Sequence, residues 1–86
     1  MTARRAVIDA LAADGLLDRT PTASGLRVRL RDTPEIERRT RELVAAEQRC
    51  CPFLEFTIGR HDGDLLLDIT GADEARPVIE LFFGPA

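Results

Sequence analysis

Gly25 to Arg31 reads G-L-R-V-R-L-R, a strict two-residue alternation. Successive side chains of a strand point to opposite faces, so Leu26, Val28 and Leu30 share one side and Arg27, Arg29 and Arg31 the other. The segment is therefore a half-buried strand with a basic outer face. Phe53 to Gly59 repeats the pattern with Leu54, Phe56 and Ile58 inward. Leu65 to Thr70 repeats it again with Leu65, Leu67 and Ile69 inward. His61-Asp62-Gly63-Asp64 between the last two reads as a hairpin loop. Pairing Phe56 with Ile69 and Ile58 with Leu67 puts both apolar sets on one face, because a slip of one residue would turn either set to solvent.

Helical signals surround these strands. Thr33-Pro34-Glu35 has the form of a helix start, with Thr33 as N-cap and Pro34 at the first helical position. The helix is expected to run to about Arg49, with Glu35/Arg39 and Glu37/Arg41 supporting it from the solvent side. Ile36, Thr40, Leu43 and Val44 form its inward stripe, which continues to Glu47, Cys50 and Cys51. Pro52 closes it, since the residue before a proline is pushed out of the helical region. Thr2 to Leu17 is Ala-rich and places Val7, Ile8, Leu11 and Ala12 near one face. Its thin apolar stripe suits a helix that packs late or mediates self-association. Asp18 to Gly25 (DRTPTASG) reads as a loop, and a last helix from near Asp73 ends before Gly84-Pro85.

The expected order is α-β-α-β-β-α, an α+β domain. A right-handed crossover followed by a hairpin gives a three-stranded mixed sheet. The strand Leu65–Thr70, the most continuously apolar, lies in its middle (order 1-3-2). Helices cover one face, leaving Arg27, Arg29, Arg31, Glu55, Thr57 and Asp68 on the other. The arrangement resembles a ferredoxin-like fold lacking its last strand. At 86 residues the chain is one domain, 1–86, with an N-terminal helix over 1–17 and a β-α-β-β-α core over 25–83. A net charge of −3 argues against a dedicated nucleic-acid or anionic-membrane binder. The arginine strand also lacks interleaved aromatics for base stacking. No apolar run suits a signal peptide or membrane span, so a cytoplasmic location is expected, where thiols stay reduced.

Both cysteines of the chain are adjacent, an arrangement that chance would produce about 2% of the time. Cysteine is often simply a small buried hydrophobe. Two neighbouring thiolates can instead hold one soft ion, and Cu(I), Hg(II) and arsenite all prefer sulfur to oxygen. Glu47 lies three and four residues earlier, on the same helical face. It is a third ligand or proton donor if it turns inward, and a solvated edge residue if it does not. The pair sits at a helix C-terminus, where the dipole disfavours a free thiolate but not a thiolate neutralised by a cation. This favours metal binding over redox catalysis. His61 is on the order of 30 Å away along the sheet and serves as a ligand only through a second chain. A vicinal disulfide would strain the intervening peptide. Phe82 and Phe83 cannot both face one core, which leaves one to contact a homodimer partner or the N-terminal helix.

G-L-R-V-R-L at Gly25–Leu30, E-Q-R-C-C-P-F-L-E-F at Glu47–Phe56 and L-L-L-D-I-T-G at Leu65–Gly71 together carry a resemblance. The chain resembles a group of small, largely uncharacterised bacterial proteins of actinobacterial type with an E-x-x-C-C-x-F motif, associated with heavy-metal-response genes. The resemblance spans about Gly25 to Phe83 and matches at Glu47, Cys50, Cys51 and Phe53. It implies soft-metal handling, with mercury one candidate. The expected function is thus a soft-metal or metalloid carrier, buffer or sensor accessory, with Cys50, Cys51 and Glu47 as ligands. A thiol-dependent enzyme (organometal cleavage or disulfide exchange) and a structural domain with buried cysteines are the alternatives.

Overall fold

The computed structural model describes residues 2–80 and 82, with side chains from residue 6 onward. The elements in chain order are α1 (Thr2–Gly15), β1 (Leu16–Pro21), β2 (Gly25–Arg31), α2 (Pro34–Cys50), β3 (Glu55–His61) and β4 (Asp64–Thr70). A 3-10 turn (Asp73–Ala75) then leads into the short α3 (Arg76–Ile79). The alternating segments are strands, and Leu26, Val28, Leu30, Leu65, Leu67 and Ile69 are all buried. Phe56 pairs with Ile69 and Ile58 with Leu67, the register that keeps the apolar sets together. The hairpin between β3 and β4 turns on Asp62 and Gly63, both with positive φ (53° and 81°), a conformation glycine adopts without strain.

The expected three-stranded mixed sheet is wrong, although the class is α+β and the three expected strands keep their order, with the Leu65–Thr70 strand in the middle. The sheet has four strands in the order β1-β2-β4-β3, and every neighbouring pair is antiparallel. The added strand is β1, in a stretch that reads as a helix end and a loop. α1 ends at Gly15, where a Cβ would lie 2.8 Å from Ile36 Cδ1 on α2, so only glycine lets the two helices approach there. The chain then enters the sheet at once, setting Leu16 opposite Leu30, Arg19 opposite Val28 and Pro21 opposite Leu26. Asp18, Thr20 and Pro21 are turn formers, but an edge strand needs only one hydrogen-bonded neighbour and accepts them. The register shifts between Leu16 and Asp18, a bulge that absorbs the helix-to-strand transition. A ferredoxin-like fragment therefore does not describe the whole sheet, because the β1–β2 hairpin stands before the crossover. From β2 onward the chain runs as expected: α2 crosses over to β3, and a second hairpin inserts β4 between β2 and β3.

Helices cover the inner side of the sheet. Ile8 and Leu11 come from α1, Ile36, Leu43 and Val44 from α2, and Ile79 from α3; with Leu54 and Phe82 they join the strand residues in one buried cluster. A fully buried leucine such as Leu11, Leu30 or Leu65 contributes about 2 kcal/mol through the surface it removes from water. Val7 departs from the expected inward face and is 50% exposed. The Phe82 ring meets Phe56 edge-on at 5.9 Å; Phe83 and the end of the expected last helix lie outside the described residues. On the outer side, Arg27 bonds Asp68 (2.9 Å), and Arg29 bonds Asp64 and approaches Asp18 (3.7 Å). The hydrogen bonds and charges of these carboxylates hold both guanidinium groups above their ordinary pKa. Carboxylates thus partner two members of the basic stripe. No helix among the described residues is long and apolar enough to cross a membrane.

Candidate functional site

The site is built on α2. Thr33, in extended conformation, accepts the Ile36 N–H at its hydroxyl (3.1 Å), and Pro34 follows, so the helix begins where the sequence places its start. Its buried stripe is Ile36, Thr40, Leu43, Val44 and Glu47. Thr40 sits in the core because its hydroxyl donates back to the Ile36 carbonyl at 2.8 Å, which satisfies the polar group within the helix. Arg41 pairs with Glu37 (2.9 Å) as the spacing predicts, whereas Arg39 leaves Glu35 and bridges to Asp14 of α1 (2.8 Å). Arg38 takes Glu35 and Glu42 instead.

The stripe ends on a carboxylate. Glu47 is 1% exposed, so it faces inward and is not the solvated edge residue that its type alone suggests. The two cysteines then part. Cys50, the last residue of α2, is exposed, while Cys51 is half-buried and packs against the core cluster. Cys51 leaves the helical region (φ −127°, ψ 69°), and its N–H donates to the Glu47 carbonyl at 2.7 Å. Its own carbonyl accepts the Leu54 N–H at 3.0 Å, closing a turn over Pro52 and Phe53. That turn buries Leu54 and leaves Phe53 58% exposed. Both sulfurs are thiols.

A groove of about 590 Å³ runs between α1 and α2. Val7, Ala10, Leu43 and Ala46 give it an apolar floor, and Glu47 and Cys50 also line it. The fold thus brings an exposed thiol and a buried carboxylate to one cavity and turns the second thiol toward the core. Among the described residues, no group of three or more His, Cys, Asp or Glu side chains is placed to hold a metal ion. His61 lies at the tip of the β3–β4 hairpin, exposed and 3.2 Å from Asp62.

The contribution of α1 is absent from the sequence reading, in which the resemblance begins only at Gly25. The one signal for it is the small and branched pair Ala10 and Val7, three residues apart and flanking the stripe that holds Ile8 and Leu11. In comparison with known proteins, the chain matches no family model, no curated protein and no solved structure.

Proposed function

We propose that the chain binds a soft metal ion in the cytoplasm through Cys50 and Cys51 and serves as a carrier, buffer or sensor accessory. The observation that carries this reading is the exposed thiol of Cys50, followed directly by the thiol of Cys51 where α2 ends. Thiolate pairs select soft ions over the hard cations that carboxylates hold. Hg(II) and Cu(I) are satisfied by two sulfurs and require the least rearrangement, whereas arsenite takes three. Cys51 already lies outside the helix, so its sulfur can swing toward Cys50 without unwinding α2. A bound cation also offsets the unfavourable field of the helix C-terminus. The E-x-x-C-C-x-F resemblance points to the same chemistry, with Glu47 as the residue that supplies or withdraws charge beside the thiols.

One observation favours a second reading, a thiol-dependent enzyme acting in organometal cleavage or disulfide exchange. Glu47 and Cys50 line the same groove, as an acid beside a nucleophile would.

Anaerobic titration of the reduced protein with Hg(II), Cu(I), Zn(II) and arsenite, followed by thiolate absorption and native mass, tests the proposal. One soft ion per chain or per dimer is expected, with affinity falling roughly a hundredfold or more in both Cys50→Ser and Cys51→Ser while the fold persists. Unchanged affinity in both variants overturns it. Rapid alkylation of Cys50 without tight metal binding turns the assignment to the enzyme. Thiols that react only on unfolding turn it to core packing.

A further inference from the structure

The two edges of the sheet are built differently. The β1 edge carries a bulge between Leu16 and Asp18 and a proline at its end, both of which blunt a strand against pairing with another chain. The β3 edge has neither. Its seven residues, E-F-T-I-G-R-H, pair with β4 without a register shift from Glu55 to His61. Among the described residues, no strand pairs with its outer side.

Which backbone groups that side presents follows from the turn. The two-residue loop Asp62-Gly63 makes His61 and Asp64 the closing pair that exchanges both hydrogen bonds, and such pairs recur at every second residue. The N–H and C=O groups of His61, Gly59, Thr57 and Glu55 therefore point toward β4. Those of Phe56, Ile58 and Arg60 point away from β4, along the outer side of the edge. Three evenly spaced outward donor–acceptor sets centred on Ile58 match a second copy of themselves run in the opposite direction.

We propose that the chain forms a homodimer by antiparallel pairing of β3 with β3 of a second copy, with the two-fold axis at Ile58. In that register Ile58 lies opposite Ile58, and Phe56 opposite Arg60 with both outward hydrogen bonds made. Thr57 lies opposite Gly59, and Glu55 opposite His61. A Cβ built on Gly59 meets nothing within 4 Å, so the outer face has room for the facing Thr57. Phe56 and Ile58, half-buried at the rim of the core, gain cover on the inner side. The product is one continuous eight-stranded sheet with all helices on one face, since a two-fold axis perpendicular to the sheet preserves its sides.

Sedimentation velocity from ~1 µM to ~1 mM, with amide hydrogen exchange at both ends of that range, tests the pairing. The expected result is a two-chain species at high concentration in which the amides of Phe56, Ile58 and Arg60 exchange at least about tenfold more slowly than at low concentration. Ile58→Pro removes the central outward N–H while leaving the bonds to β4, and is expected to weaken dimerisation about a hundredfold or more. Should that variant misfold, Ile58→Lys, which sets two like charges opposite one another across the two-fold axis, is expected to weaken it severalfold or more at low salt. A monomer throughout the range, or a dimer whose Phe56, Ile58 and Arg60 amides exchange as fast as in the monomer, overturns the proposal.

Discussion

The two ends of α2 follow different rules. At its start, Thr33 caps the Ile36 N–H, Pro34 occupies a position that needs no donor, and Glu35 and Glu37 place negative charge on the positive end of the helix dipole. Each of those residues is explained by the helix itself. At its end only Arg49 and the following Pro52 obey the same logic. There is no glycine to reverse the chain; instead the helix closes on a buried carboxylate, an exposed thiol and a half-buried thiol, followed by Pro52. The rules for ending a helix do not ask for Glu47, Cys50 or Cys51 at these positions. Where a helix satisfies every rule at one end and departs from them at the other, the departing end is where chemistry is to be sought.

That contrast can be broken by substitution. The largest effect on stability is expected from Glu47→Ala, which empties a buried site and leaves its surroundings to adjust around a lost carboxylate. A loss of about 3 kcal/mol in denaturant unfolding is expected. If the variant is as stable as the parent, Glu47 is not integrated into the core and the two ends differ less than the burial suggests. At the other end, Thr33→Ala is expected to cost about 1 kcal/mol by the same measurement, through loss of the cap to the Ile36 N–H. It should leave soft-metal affinity unchanged, whereas a shared loss of affinity would mean that the ends are coupled.

The smallest effect concerns acid sensitivity. The hydrogen bond from Arg41, with the charge and hydrogen bond of Arg60, lowers the Glu37 carboxyl below its ordinary value of 4.5. A group whose folded pKa is depressed adds stability above its unfolded pKa, and that stability is lost as pH falls through the folded value. Glu37→Gln is therefore expected to lower the melting temperature slightly at neutral pH and to converge with the parent by about pH 3, which flattens the fall between them. An unaltered profile would show that solvent screens the Arg41–Glu37–Arg60 cluster completely.

Much of this architecture is legible along the chain because it rests on local periodicity. The alternations at Gly25–Arg31 and Leu65–Thr70, the Thr33-Pro34 start and the apolar stripe of α2 all express geometries of period 2 or 3.6 that a window of a few residues contains. β1 is not legible in that way. Its burial is irregular, with Leu16 and Arg19 half-buried and its other four residues exposed, and L-L-D-R-T-P has the composition of a turn. It is a strand because β2 offers an edge with unmet hydrogen bonds, and that offer exists only once β2 is in the sheet. The close approach of Gly15 to Ile36 is illegible for a related reason, since the two meet only after α1 and α2 dock.

The candidate site divides along the same line. Adjacency of Cys50 and Cys51 and the helical spacing of Glu47 are properties of the chain, set by covalent order and by 3.6 residues per turn. The direction each group faces is not. Those three positions fall within one helical turn at the border of the apolar stripe, where a rotation of a few tens of degrees decides between core and solvent. Packing against the sheet and α1 sets that rotation, putting Glu47 inside, Cys50 in the groove and Cys51 against the core. The sequence by itself therefore determined which reactive groups lie together and on which element. Only the tertiary structure decided the fourth strand, the groove contributed by α1, and which of the two thiols meets solvent, because each depends on contacts between segments that no local pattern encodes.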